Sequence, residues 1–275
     1  MSPMDTTDFD WNLLWKREKN KKTWKSKKAA DWDRKAASFA KRTSTSCYIQ
    51  RFLDLLAPHS DWSVLDVGCG PGTLALPLAS RVRLVSGLDF SKKMLEILRQ
   101  KADEKDLKNI TLYHGSWEDD WQTLHIAPHD VAIASRSLAV TDLKAALVKL
   151  TSHAREKVVI TDRVGHGPFD PDAFTAIGRT LSTGPDFIYT FNLLHQMGYL
   201  PSVDYIELEK ELCYPTAREA MESYLWMFRN LDDREKKLLK NYVQSITTMN
   251  NDGSVTVHRS RPPVWAFISW IPSIR

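Results

Sequence analysis

Asp66, Gly68, Gly70 and Gly72 stand at alternate positions and form the stretch best suited to holding a ligand. They end the short apolar run Ser63 to Val67 and precede the apolar, helix-like Leu74-Ala75-Leu76. Strand, glycine-rich turn and helix in that order make the ligand-binding corner of an open α/β sheet. Glycine suits such a corner because the chain turns sharply and a ligand approaches the backbone with no Cβ in the way. A dinucleotide fingerprint would place its third glycine at position 73, which is Thr73. The next apolar run, Arg83 to Leu88, ends in a second carboxylate, Asp89. A carboxylate at the tip of a second strand can accept hydrogen bonds from both hydroxyls of a ribose. The alternative is a glycine turn with no ligand.

The elements that must position these residues are legible in order. Cys47 to Leu56 has Ile49, Phe52, Leu53 and Leu56 on one helical face, and the turn at Pro58 leads into the first strand. Ser91 is placed to cap a helix that starts at Lys92 and turns Met94, Leu95, Ile97 and Leu98 inward. Strands are expected at 109–114, 130–135 and 157–162, with a helix over 142–150 between the last two. Further helices are expected at 172–181 and 187–197, the latter closed by Gly198. One strand is expected over 203–214, a helical insertion over 215–250, and β-rich segments at 254–258 and 264–270 that complete the sheet. Trp226, Phe228 and Trp265 read as core.

The Asp-x-Gly-x-Gly-x-Gly spacing with Asp89 resembles the cofactor site of the class I S-adenosylmethionine (SAM)-dependent methyltransferases, in particular the small-molecule, methyltransferase type 11-like members. The resemblance covers residues 47–270 in element order. It implies a Rossmann-like α/β fold: a seven-stranded mixed sheet with helices on both faces, the last strand antiparallel, a helical cover over 1–46 and a helical lid insertion. It implies Gly68, Cys69, Gly70 and Gly72 lying against SAM, Asp66 near its methionine end and Asp89, with Phe90 beside it, on the ribose. In the family an acidic side chain after the third strand commonly holds adenine, and many relatives carry Gly-Asp-Ala. This chain has Gly115-Ser116-Trp117. The contact therefore falls to Ser116, Glu118 or the Trp117 backbone, with Trp117 either stacking on adenine or packing at the surface edge.

Past the fourth strand stands Ala134-Ser135-Arg136-Ser137, where nucleic-acid amino-methyltransferases carry an Asn/Asp-Pro-Pro-Tyr motif. That argues against exocyclic base amines as acceptors. Ser135 falls at the cofactor edge. Arg136 either holds a carboxylate or phosphate of a substrate or binds a neighbouring carboxylate. His166, between Gly165 and Gly167 at the same sheet edge, is either an incidental exposed histidine or the first candidate for a general base. The implied reaction moves the sulfonium methyl of SAM to a small-molecule acceptor by in-line displacement, which needs no covalent intermediate. The other reading of the corner is a nucleotide-binding protein without methyl transfer, or an NAD-dependent enzyme.

Composition bounds the alternatives. The chain has 275 residues, 43% apolar and 26% charged, with formal net charge +4. That balance is too small to argue for nucleic acid without a clustered patch. One cluster exists: Trp11, Trp15, Trp24 and Trp32 lie among lysines at 16, 19, 21, 22, 25, 27 and 28. It reads either as an RNA grip, which would make the chain a tRNA or rRNA methyltransferase, or as an amphipathic helix with a packed Trp face. A covering role over the pocket falls to Trp32 and Phe39. Cys47, Cys69 and Cys213 show no metal spacing, and a reduced cytoplasmic protein with no secretion signal, membrane span or metal is expected.

Overall fold

A computed structural model describes residues 9–22, 28–43 and 46–273. Trp24, Lys25 and Lys27 of the basic cluster lie outside the described residues. The first strand, β1 (Ser63–Val67), is buried along its whole length, as an unbroken apolar strand of a two-sided sheet must be. β2 (Leu84–Asp89) and β3 (Ile110–His114) add to one side of it in parallel. β4 (His129–Ser135) and β5 (Ala154–Arg163) add in parallel to the other. The direction of strand addition thus reverses between β1 and β4, which opens a crevice at their carboxyl ends.

β6 (Ser202–Glu207) is the far edge, and β10 (Val264–Trp270) runs antiparallel between it and β5. The sheet order is β3-β2-β1-β4-β5-β10-β6, a seven-stranded mixed Rossmann-like sheet.

Alternation along the strands splits the core in two. Leu65, Val67, Ala132, Ala134, Val158 and Ile160 pack on one face. The intervening Val64, Val131, Ile133 and Val159 pack on the other. Ten-residue helix Cys47–Leu56 covers the second face; its N-terminus is capped by the Ser46 hydroxyl, which accepts from the Tyr48 amide at 3.3 Å. The helix at Lys92–Glu104 lies on the same face and is capped by Ser91. The helices at Leu143–Ser152 and Phe187–Gln196 cover the first face.

The N-terminal helix, Trp11–Lys21, buries Trp15 in the first core, and its Trp11 meets Tyr189 edge-on at 5.9 Å. Its lysines turn to partners in the chain: Lys16 pairs with Asp142, Lys19 bonds the Val140 carbonyl and Lys21 pairs with Glu18. The second helix, Ala29–Thr43, lies over the Lys92–Glu104 helix, where Asp33 accepts from the Ser91 hydroxyl at 2.6 Å.

The structure departs from the sequence expectations in three places. Residues 203–214 form two strands: β6 stays in the main sheet, while β7 (Glu211–Tyr214) leaves it. β7, β8 (Thr247–Met249) and β9 (Val255–His258) make a separate three-stranded sheet, so β9 does not complete the main one. Alternation is identical in both sheets and names no partner; Pro262-Pro263 then parts β9 from β10. The helix expected to reach Leu181 stops at Ala176, because Gly178 turns left-handed at φ +78°. The inserted lid carries helices Ala217–Leu225 and Asp233–Ser245, and a third core lies under it, where Phe169, Phe174, Tyr224, Phe228, Leu239 and Val257 pack together.

Candidate active site

A cavity of about 720 Å³ lies at the carboxyl ends of the central strands, within the range of small-molecule sites. Asp66, at the end of β1, is 2% exposed and lines it. Among the described residues no donor reaches its carboxylate. Burial, and then the charge of Asp89, pushes its carboxyl up to about 7. Asp89 closes β2 and accepts twice: from the Gly70 amide at 2.8 Å and from the Ser91 amide at 2.8 Å. Burial raises its carboxyl as well, against the pull of those two amides.

The glycines of the turn have different tasks. All three are left-handed, at φ +75°, +54° and +86° for Gly68, Gly70 and Gly72. A Cβ on Gly70 would meet nothing within 4 Å, and Gly70 lines the cavity, so its bare backbone faces the ligand space. A Cβ on Gly68 would stand 2.4 Å from Ser137 Cβ, and one on Gly72 2.4 Å from Leu98 Cδ1. Gly72 therefore serves packing against the Lys92–Glu104 helix, which carries Leu98, and is not part of the cavity wall. Gly70→Ala is expected to keep the ligand-free stability within about 1 kcal/mol of wild type while weakening ligand binding. Gly72→Ala is expected to cost about 1–3 kcal/mol of stability, read by thermal denaturation without ligand; equal loss in both variants would overturn this division.

Beyond β3, Ser116, Trp117 and Glu118 line the cavity. The turn is held by Asp119, whose carboxylate accepts from the Ser116 amide at 2.7 Å and hydroxyl at 3.0 Å. Trp117 donates its indole N–H to the Ser137 carbonyl at 3.0 Å and its ring lies 5.6 Å from that of Trp121. The side chain thus bridges the β3 and β4 loops and forms a fixed wall. Lys149 locks the same turn by donating to the Trp117 and Asp119 carbonyls. Cys69 and Phe90 complete this half of the lining.

The other half is built from β4, β5, β10, the lid and the N-terminal helices. Ser135 and Thr161 line the cavity and hold the phenol of buried Tyr48 at 2.6 and 2.7 Å. Arg136 follows Ser135 with φ +56°. Its guanidinium lies 4.0 Å from the Tyr48 ring centroid. Trp32 and Phe39, ring centroids 5.2 Å apart, reach the cavity from the second helix.

Trp226, Phe228 and Trp265, expected as core, also line it, so they are wall residues; Phe228 serves both purposes. His166 is exposed on its turn and is not part of the lining. The structure does not bring it to the other site residues.

Several lining residues are not assigned to the pocket by the sequence, although some of them belong to its Trp/Lys cluster. Trp15, Lys19 and Lys22 come from the N-terminal helix and its end. Burial, with the charges of Lys19 and Arg163, lowers the Lys22 ammonium to about 8. Asp162 is held by the Thr190 hydroxyl and the Arg163 amide at 2.8 Å each, with burial raising its carboxyl. A charged end to a strand at the sheet's carboxyl edge was the one available clue to Asp162.

Residues 58–171 match the family model described as a methyltransferase domain. An uncharacterized protein of Haemophilus influenzae is 34% identical over 243 residues, 87% of this chain and 88% of that one. The chain belongs to the class I SAM-dependent methyltransferases. Among solved structures similar to this methyltransferase, a candidate methyltransferase of Bacillus halodurans has TM-score 0.55 at 10% identity, covering 82% of this chain and 98% of that one. A 23S rRNA (uracil(1939)-C(5))-methyltransferase of Vibrio campbellii is 34% identical over 74 residues, 27% of this chain and 17% of that protein. No described helix of the methyltransferase is long and apolar enough to cross a membrane.

The site residues fit SAM on two counts. Asp66 is a buried carboxylate that no donor of the described chain satisfies, and an ammonium group is the donor it lacks. Gly70 leaves its Cβ space open beside Asp89, where a ribose needs close approach to the backbone.

Proposed function

We propose that this enzyme methylates a small-molecule acceptor, with SAM along the glycine turn and the acceptor in the aromatic, cation-rich half of the cavity. Asp66 would hold the methionine ammonium, Asp89 the ribose hydroxyls, and Trp117 with Glu118 would bound the adenine. When bound, SAM supplies an electrophilic methyl group on its sulfonium. The chain's own contribution is then to align the two reactants and exclude water, for which effective concentration is the main source of rate. Arg136 would orient the acceptor. Exposed His166, away from the lining, has no role in this reading.

The observation that carries the small-molecule reading is the roof. Trp32 and Phe39 from the second helix, Phe169 from the turn after β5 and Trp226 from the lid border the same space. A polynucleotide needs an open, positively charged track, whereas Lys16, Lys19 and Lys21 are already engaged within the chain. The rRNA enzyme's similarity stops at a short stretch.

The test is a thermal-shift titration with SAM, S-adenosylhomocysteine (SAH) and NAD, followed by methyl-labelled SAM with separate metabolite and RNA pools. SAM and SAH are expected to stabilise the protein and NAD not to, by mass action on the native state. Label is expected in the metabolite pool. Label in RNA, with transfer falling steeply as salt rises, would overturn the acceptor class and leave the cofactor standing.

A further inference from the structure

We propose that the acceptor is an aromatic or similarly apolar monocarboxylate, gripped through its carboxylate by Arg136 and the indole N–H of Trp265. The proposal rests on the small-molecule reading above and names the chemistry of its substrate.

Arg136 is fixed in place without using its donors. Its amide donates to the Thr161 carbonyl at 3.1 Å and approaches the Thr161 hydroxyl at 3.1 Å. This holds the residue in a left-handed conformation that is strained for a non-glycine residue. The guanidinium stacks on Tyr48 and lies 5.7 Å from the Trp265 ring centroid. Tyr48 cannot drift, because Ser135 and Thr161 both bond its phenol. Stacking occupies the faces of a guanidinium, while its five N–H donors lie in the plane. Among the described residues no carboxylate pairs with Arg136.

Trp265 adds an independent observation. Its Nε1 is buried with no hydrogen-bond partner among the described residues, on a residue that lines the cavity. An indole N–H is a donor only, and leaving it unsatisfied in a buried place is unfavourable. Three other cations of the cavity have acceptors already. Arg179 grips Glu235 through two bonds of 2.6 and 2.7 Å, Arg163 donates to the Pro185 carbonyl, and Lys19 to that of Val140.

Two neighbouring donor-only groups suit an oxyanion and not an amine. One guanidinium matches one negative charge, which favours a carboxylate over a phosphate dianion. Phe169, Trp226 and Phe228 supply the apolar walls for the body of the molecule. The gripped carboxylate is not the methylated atom. A nucleophilic atom on the apolar body forms the new bond to the methyl carbon with its own electron pair. The carbon–sulfur pair returns to sulfur, any proton on the nucleophile goes to water, and the product keeps its carboxylate charge.

The experiment measures thermal midpoints of the protein saturated with SAH, with 4-hydroxybenzoate, indole-3-acetate, their carboxamides and phenyl phosphate. Wild type, Arg136→Met, Arg136→Lys and Trp265→Phe are compared. Both acids are expected to raise the wild-type midpoint by about 2 °C or more, the amides not at all. Arg136→Met should abolish the acid-minus-amide difference, Arg136→Lys reduce it and Trp265→Phe weaken acid binding several-fold, each with the SAH shift retained. If Arg136 is merely structural, the ligand-free midpoint falls and the acid-minus-amide difference survives. That result overturns the proposal. So do equal shifts from acids and amides, a larger shift from phenyl phosphate, or no shift from either acid. Absence of any SAH shift in wild type would instead strike the cofactor reading.

Discussion

Asp66→Asn is expected to raise the thermal midpoint of the ligand-free enzyme at pH 8 while lowering its affinity for SAH. Asp66 is buried at the end of β1 and, among the described residues, receives no hydrogen bond; burial and Asp89 push its carboxyl up to about 7. An unfolded Asp titrates near 3.9. The sign follows from the raised value: folding favours the protonated form. The associated destabilisation is absent below about pH 4, grows as pH rises to about 7 and is constant above. Its full size is on the order of 4 kcal/mol. The neutral amide removes that term, and at roughly 2–4 °C per kcal/mol for a chain of this size the gain is several degrees.

The same substitution deletes the charge that would meet the SAM ammonium. A hydrogen bond to a charged group is worth about 1.5–3 kcal/mol, so the loss is roughly 10- to 100-fold in SAH affinity. Wild-type affinity should rise between pH 6 and 8 as Asp66 ionises, and the variant's should not. Calorimetry with SAH across that range, beside ligand-free melting curves, checks both halves. A variant that melts no higher and binds SAH as before would remove Asp66 from the site.

How far the site was legible follows from the kind of information each residue carries. The corner at Asp66 to Gly72 and the carboxylate at Asp89 are local patterns: an apolar run ends, glycines break it, and the acid stands at the strand tip. Sequence shows this directly. It does not separate Gly70 from Gly72, since both adopt positive φ, and only the Leu98 methyl group 2.4 Å from an added Cβ shows that Gly72 serves packing. Arg136 and His166 looked alike as lone polar residues at the sheet edge. What divides them is tertiary: Arg136 is stacked on Tyr48 from a distant helix, whereas His166 sits on an exposed turn.

The same limit hid the roof. Trp226 and Trp265 lie in apolar runs that read as core, and whether an aromatic faces core or cavity depends on how the lid docks. The break between β6 and β7 was hidden too, because period-two alternation continues across it while the strands join different sheets.

Asp89→Ala is expected to weaken SAH binding by about 100-fold or more, and the structure gives it two distinct ways to do so. The carboxylate pins the glycine turn by accepting from the Gly70 and Ser91 amides. It is also the acceptor at the strand tip that the ribose hydroxyls would meet, through lone pairs those amides leave unused. Two hydroxyl bonds to a carboxylate, at about 1.5–3 kcal/mol each, suffice for the expected loss without any collapse of the turn.

The two causes separate in a cycle with an SAH analogue lacking the 2′- and 3′-hydroxyls. If Asp89 holds the ribose, wild type binds the analogue at least about 10-fold less tightly than SAH, and Asp89→Ala binds both nearly alike. If Asp89 only braces the turn, the substitution weakens both ligands by the same factor, and the ribose role passes to another residue. Melting curves of the ligand-free variant complete the cycle. A midpoint close to wild type ties the loss to the ligand, and a large fall would show that the Gly70 pin is part of what holds β1 and β2 at the corner.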